Sequence, residues 1–214
     1  MFALLLELFG NSTAAQPARA TLKSPNGQIV IGFETLEKDQ PSASGQLSYS
    51  VTFEGKPLID QSKLELELQG FRPLGSGVRI LAQTPSQNDD SYRLVTGKAS
   101  DVRNHYNALR IDCEEAAFPN RKLTIEARAY DDGVAFRYVV PDQTAVREFR
   151  ETQEQTEFRI SKDATVYALV LPHYRTMYES EYIKLSASAF GNPNGLSTKV
   201  LIGCPLLMQV PGTG

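Results

Sequence analysis

From Leu22 onward apolar and polar side chains alternate with a period of two, which is the pattern of strands buried on one face rather than of helices. Ile29, Ile31 and Phe33 alternate with Val30, Gly32 and Glu34, and Leu47, Tyr49, Val51 and Phe53 with Ser48, Ser50 and Thr52. The Glu54-Gly55-Lys56 turn before Pro57-Leu58-Ile59 predicts a hairpin. Leu64, Leu66 and Leu68 alternate with Glu65 and Glu67, whose carboxylates are expected on a solvated sheet face. The clearest pair runs from Leu123 to Tyr130 and from Val134 to Val140. Asp131-Asp132-Gly133 joins them, with Gly133 expected to take a positive φ cheaply. Residues 157–160, 166–170 and 206–210 are further strand candidates.

Helical signals are few. Only the first ten residues and residues 148–155 are candidate helices, residues 84–90 are polar and read as a loop, and Phe190 to Gly195 is turn chemistry. Neither a fixed-period repeat nor an interdomain linker interrupts the strands. The pattern predicts one all-β domain over residues 22–214, an antiparallel β-sandwich with little helix, behind a leader over residues 1–21.

Composition narrows the function classes. A chain of 214 residues, 41% hydrophobic and 22% charged, can bury a core without disulfides or metals. The net charge of −3 and a longest basic run of Arg121-Lys122 argue against nucleic acid. The chain lacks Trp, so any sugar-stacking platform must use its Tyr and Phe residues. Cys113 and Cys204 allow at most one disulfide, and Cys113 continues the alternation of Leu109 and Ile111 into the core, where a free thiol acts as a small hydrophobe.

Phe2 to Phe9 is apolar except for Glu7, and Ala18-Arg19-Ala20 has the small-x-small form of a signal-peptidase site. No Lys or Arg precedes that run, so a degraded signal peptide and a vector-derived terminus both fit. The first implies a periplasmic or secreted protein, the second a cytoplasmic one. The run is too short to span a bilayer.

Most catalytic signatures are missing: there is no phosphate-cradling loop, no dinucleotide fingerprint and no nucleophile elbow. His105 and His173 lack a metal-ligand spacing. Carboxylates are harder to dismiss, because glycosidases use pairs whose convergence sequence spacing cannot reveal. Asp131 and Asp132 suit a hairpin turn, and Glu114 and Glu115 are expected to be solvated at a strand end. Glu179 and Glu181 lie in an aromatic, acidic stretch with Tyr174, Tyr178 and Tyr182, where an edge strand would place both carboxylates on one face. Tyr rings combine apolar faces with hydroxyls, as a sugar surface or a domain interface requires; a partly exposed edge strand accounts for the same residues without function.

Several ordered segments resemble the amino-terminal domain of family 97 glycoside hydrolases, the α-glucosidase and α-galactosidase group. They are Leu22-Lys23-Ser24-Pro25-Asn26-Gly27, the run Arg103-Asn104-His105-Tyr106-Asn107, the hairpin Arg128 to Tyr138 around Asp131-Asp132-Gly133, then Gln153 to Phe158 and the Tyr178-Glu179 stretch. The resemblance implies a super-sandwich related to the galactose-mutarotase fold, bacterial origin, and packing against a (β/α)8 barrel that holds the catalytic residues and lies outside this sequence. It also implies that one glutamate of this domain contributes to a calcium ion, a role carried onto Glu179 with Glu181 as the second candidate.

Three functional readings follow. The first is a non-catalytic domain of a carbohydrate-active enzyme, retaining some affinity for sugar or calcium. The second is a small stand-alone hydrolase using Glu179, Glu181 or His173. The third is a structural domain that forms homo-oligomers through the apolar surface exposed where the barrel is missing.

Overall fold

A computed structural model of the protein describes residues 19–97, 100–160, 162–190 and 201–213. The leader's apolar run and most of the turn after Phe190 therefore lie outside the described residues. Strands β1 (Arg19–Lys23), β2 (Ile29–Glu37), β3 (Gln40–Pro41), β4 (Gln46–Phe53) and β5 (Lys56–Lys63) come first, followed by β6 (Leu66–Leu68). Then come β7 (Val78–Arg93), β8 (Asp101–Glu115), β9 (Lys122–Tyr130), β10 (Gly133–Val139) and β11 (Glu151–Glu154). The order ends with β12 (Thr165–Leu171), β13 (Tyr182–Ser186), a 3-10 turn at Ala187–Ala189 and β14 (Leu201–Gln209). β1 begins inside the span read as a leader, pairing Arg19 with Glu34 and Ala20 with Phe33.

Two antiparallel sheets face each other. One has the order β1-β2-β4-β5 with β3 attached to β2, and the other the order β10-β9-β8-β7. Their inner faces are the alternating residues of the sequence pattern. Ile29, Ile31, Phe33, Leu47, Tyr49 and Val51 share one buried cluster with Val78, Ile80, Leu109, Ile111, Cys113, Leu123, Ile125 and Ala127. Phe136 of β10 closes the gap, its ring edge-on to Phe33 at 6.1 Å and tilted against Tyr49 at 5.1 Å. Two smaller sheets, β11-β6 and β13-β12-β14, complete the fold.

Several local expectations change. Residues 148–155 are not helical: β11 takes its backbone partners from β6, with Glu154 opposite Leu66. Residues 84–90 are not a loop but the middle of β7, paired one-for-one with β8 from Gln83↔Ile111 to Arg93↔Asp101. The pairing of β8 with β9 ends at Asn107↔Ala129, so beyond it β7 and β8 form a two-stranded ribbon. A ribbon wetted on both faces needs no apolar alternation, which is why its polar composition masks a strand. Residues 157–160 follow β5 through separate bonds, Glu157 N to Lys63 O at 3.0 Å and Asp60 N to Arg159 O at 2.8 Å, without forming a continuous strand.

The turn chemistry divides. Glu54 and Gly55 both take positive φ, 49° and 74°, between the closing pair Phe53↔Lys56, a two-residue turn whose twist suits antiparallel strands. Asp131 and Asp132 are instead the two central residues of the β9–β10 hairpin, and Gly133 pairs with Tyr130 as the first residue of β10. Gly133 is not among the positive-φ residues, so its expected role is not the one it plays.

The carboxylates also separate. Glu115 is buried rather than solvated, held by Arg121 Nε at 2.7 Å, with both side chains almost wholly shielded. Glu65 is buried as well; its carbonyl accepts the Gln155 amide, and Lys63 Nζ stands 3.9 Å from its carboxylate.

Candidate functional site

Three of the segments that carry the sequence resemblance, residues 22–27, 103–107 and 128–138, meet at one end of the sandwich. Ser24, Asn26 and Gln28 form a local turn in which Asn26 Oδ1 accepts from Ser24 Oγ at 2.7 Å and from the Gln28 amide at 3.0 Å. Asp131 reaches this turn from the β9–β10 hairpin, its Oδ1 accepting the Asn26 amide at 2.8 Å. Asn107 of β8 donates to the Lys23 carbonyl at 3.0 Å. Ordered polar groups thus replace apolar packing where the sandwich core runs out.

The outer face of β8 and β9 adds an aromatic pair. Tyr106 and Tyr130 stand 5.2 Å apart with a 53° tilt, and the Arg128 guanidinium lies 4.5 Å from the Tyr106 ring centre. The Tyr130 hydroxyl donates to Asn104 Oδ1 at 3.3 Å. Arg103 forks onto Asp89 across the ribbon with two bonds of 2.7 Å. The guanidinium's hydrogen bonds hold the Asp89 carboxyl below the usual carboxylate range, with a smaller contribution from nearby His105. Of the residues singled out from sequence, Arg103 therefore fastens the two strands of the ribbon, Asn104 and Tyr106 tie it to Tyr130 of β9, and Asp131 ties the β9–β10 hairpin to the Asn26 turn. Asp132 and Gly133 shape the turn. Asn26, Asp89, Asn107, Arg128 and Tyr130 complete this corner; only their place within or opposite the quoted motifs could have flagged them.

The second candidate surface is the connection between β12 and β13. Tyr174, Tyr178, Glu179 and Glu181 all precede β13, which begins at Tyr182. The carboxylates therefore do not share a strand face, and the expected edge strand is absent there. The reason is length: β12 and β13 pair from Thr165↔Ser186 only as far as Leu169↔Tyr182, leaving residues 172–181 to run as an exposed loop. Apolar side chains crowd it, with Tyr174 89%, Met177 83% and Tyr178 57% exposed, and Tyr182 just beyond at 58%. Exposed large apolar groups in one segment are unusual on a free surface. Glu179 and Glu181 make no hydrogen bond or ion pair to other described residues.

Two clefts on the described surface lie away from this loop. One on the outer face of β9 and β10 is lined by Glu126, Arg128, Ala135 and Arg137. A larger, more apolar one beside β12 and β14 has Phe158, Val166, Phe190, Leu206 and Met208 in its walls, with Asp163 and Ser188 at its rim. Glu179, Glu181 and His173 line neither, so the paired-carboxylate geometry of a stand-alone hydrolase finds no support in them.

The family model described as glycosyl-hydrolase 97 N-terminal matches residues 22–214. The chain belongs to that family. A retaining α-galactosidase of Bacteroides thetaiotaomicron is 25% identical over 191 residues, 89% of this chain and 26% of that protein. Among solved structures, a family 97 enzyme of Pseudoalteromonas sp. strain K8, a variant in complex with panose, is 25% identical with a TM-score of 0.68, covering 77% of this chain and 24% of the other. A complex of a family 97 enzyme from the same strain with acarbose is 24% identical with a TM-score of 0.75, covering 90% and 27%, and supports the fold alone. The chain thus spans about a quarter of the length of these relatives.

A calcium ion takes about six to eight oxygen ligands. No group of three or more His, Cys, Asp or Glu side chains among the described residues could hold a metal. Among the described residues Glu179 and Glu181 have no hydrogen-bond or ion-pair partner, and no cage of ligands surrounds them. No helix among the described residues is long and apolar enough to cross a membrane.

Proposed function

We propose that this chain is the non-catalytic partner domain of a family 97 glycoside hydrolase, docking through the loop over residues 172–181 against a catalytic barrel. Glu179 contributes a carboxylate to calcium at that junction, with Glu181 as the alternative donor. The observation that carries the reading is the combination in one loop of exposed Tyr174, Met177 and Tyr178 with carboxylates that have no partner among the described residues. Apolar rings lose water on docking while the free carboxylates complete a cation's shell. The relatives named above are an α-galactosidase and enzymes bound to panose or acarbose; by that analogy the substrate class of the whole protein is an α-linked glycoside.

The reading predicts no turnover of aryl α-glycosides by the isolated chain. Protein-dependent hydrolysis abolished by Glu179→Gln would overturn it in favour of a small hydrolase. Calorimetry of the chain with maltooligosaccharides and with calcium separates a sugar- or ion-binding module from an inert packing domain. The same exposed side chains favour a second reading, self-association of the isolated chain into dimers or larger oligomers, and a strictly monomeric sedimentation profile at high concentration refutes it.

A further inference from the structure

We infer that Tyr178 and Gly203 form a clamp that sets the direction of Glu179, making Tyr178 a positioning residue for the docking loop. The inference rests on the proposed role of Glu179, but the clamp has its own geometry.

The sheet order β13-β12-β14 places β12 between its two neighbours. A connection from β12 to β13 has no need to approach β14. Yet the ring of Tyr178 lies on Gly203 of β14: a Cβ at Gly203 would stand 3.1 Å from Tyr178 Cε1, 3.4 Å from its Cδ1 and 3.0 Å from Leu169 Cδ2. The Tyr178 ring therefore reaches the β14 side of β12, away from β13. Gly203 is buried, and only a residue without a side chain leaves the ring this seat.

Two further features fall at the same place. Tyr178 has φ 59°, a left-handed conformation that residues with a Cβ adopt when their surroundings demand it. The β12–β14 ladder also shifts register there, with Tyr167 opposite Leu207 but Leu169 opposite Gly203, so β14 carries extra residues around Pro205. Such a bulge bends the strand and lets proline sit in it. The ring, the left-handed backbone and the bulge fix one residue, and Glu179 follows it directly. A loop of this length without an anchor would spread Glu179 over many directions and lose the entropy only on docking.

The test uses the 214-residue chain. Trypsin cleavage after the exposed Arg175, followed by mass spectrometry, reads the freedom of the loop. Tyr178→Ala and Gly203→Val should each speed cleavage roughly five- to thirtyfold, while Tyr178→Phe, which keeps the ring, should match the parent. Thermal melts should coincide for the parent and the two Tyr178 variants, because Tyr178 lies outside the sandwich core, whereas Gly203→Val also presses on buried Leu169 and is read by its cleavage alone. Unchanged cleavage in both disruptive variants overturns the clamp; so does an equal acceleration by Tyr178→Phe, or a melting temperature of Tyr178→Ala that falls in step with cleavage. Terbium luminescence excited through tyrosine then reads the carboxylate, with the metal alone as probe. Loss of emission with Glu179→Gln and with the clamp variants, but not with Tyr178→Phe, is the expected pattern. Emission insensitive to Glu179→Gln would remove the metal reading of Glu179 while the cleavage rates still decide the clamp.

Discussion

Removing one partner of the Glu115–Arg121 pair should be among the most damaging single changes in this protein. The two side chains are 3% and 2% exposed. Arg121 grips Glu115 through Nε and Nη2, donates to the Arg72 carbonyl at 2.9 Å, and lies 5.7 Å from the Phe71 ring centre. Its Nη1 is buried without a partner among the described residues, so both N–H groups of that nitrogen already go unsatisfied. The backbone closes the same unit, Glu115 N to Arg121 O at 2.9 Å, with Asn120 Nδ2 on the Glu115 carbonyl at 3.0 Å. Glu115→Ala leaves a buried cation with a single carbonyl acceptor, and breaking a buried pair in this way costs about 3–5 kcal/mol. For a protein of this size that lowers the melting temperature by roughly 6–20 °C. Arg121→Met strands the carboxylate and should cost a similar amount. The double variant Glu115→Leu with Arg121→Met removes both desolvation penalties and should recover most of the loss, since apolar replacements of buried pairs are often neutral or better. Urea titrations followed by far-UV circular dichroism measure all four proteins. Single variants that each lose under about 1 kcal/mol, or a double variant as unstable as the sum of the singles, would refute the reasoning.

Burial pushes the Cys113 thiol up to about 12, so a thiol reagent at mild alkaline pH should titrate one cysteine, the exposed Cys204, in the native protein and two in urea; two fast native thiols would contradict the buried placement. Burial also raises Tyr138 to about 12, from 10.0, and moves Tyr49 upward for the same reason. The unfolded chain releases these protons first, so stability should be full below about pH 9 and decline between pH 9 and 12, with Tyr138→Phe flattening the decline in thermal melts. Ile111→Ala, at a fully buried core position, should cost about 2–5 kcal/mol by the same urea titration. Asp131→Ala should cost about 0.5–1.5 kcal/mol and expose the Asn26 amide to faster hydrogen exchange, because Asp131 Oδ1 is that amide's acceptor; unchanged exchange would show that the contact does not hold the turn.

What the alternation of residues determined by itself is the sandwich. Ile29, Ile31, Phe33, Leu109, Ile111 and Cys113 announce their inward faces because a strand buried on one side must repeat every two residues. The ordered motifs likewise identified the family, since turn and corner residues such as Asn26, Asn104 and Asp131 are tied to local backbone shape. Only the tertiary structure decided the rest. The β7–β8 ribbon looked like a loop because a strand wetted on both faces carries no apolar period. Glu115 looked solvated because its partner Arg121 becomes a neighbour only once the β8–β9 connection folds back. The loop holding Glu179 looked like an edge strand because alternation describes faces and says nothing about where pairing stops. Gly203, 25 residues beyond Tyr178 in the chain, gained its meaning only when that ring came to rest on it: close approach is a property of two surfaces, and one stretch of sequence holds only half of it.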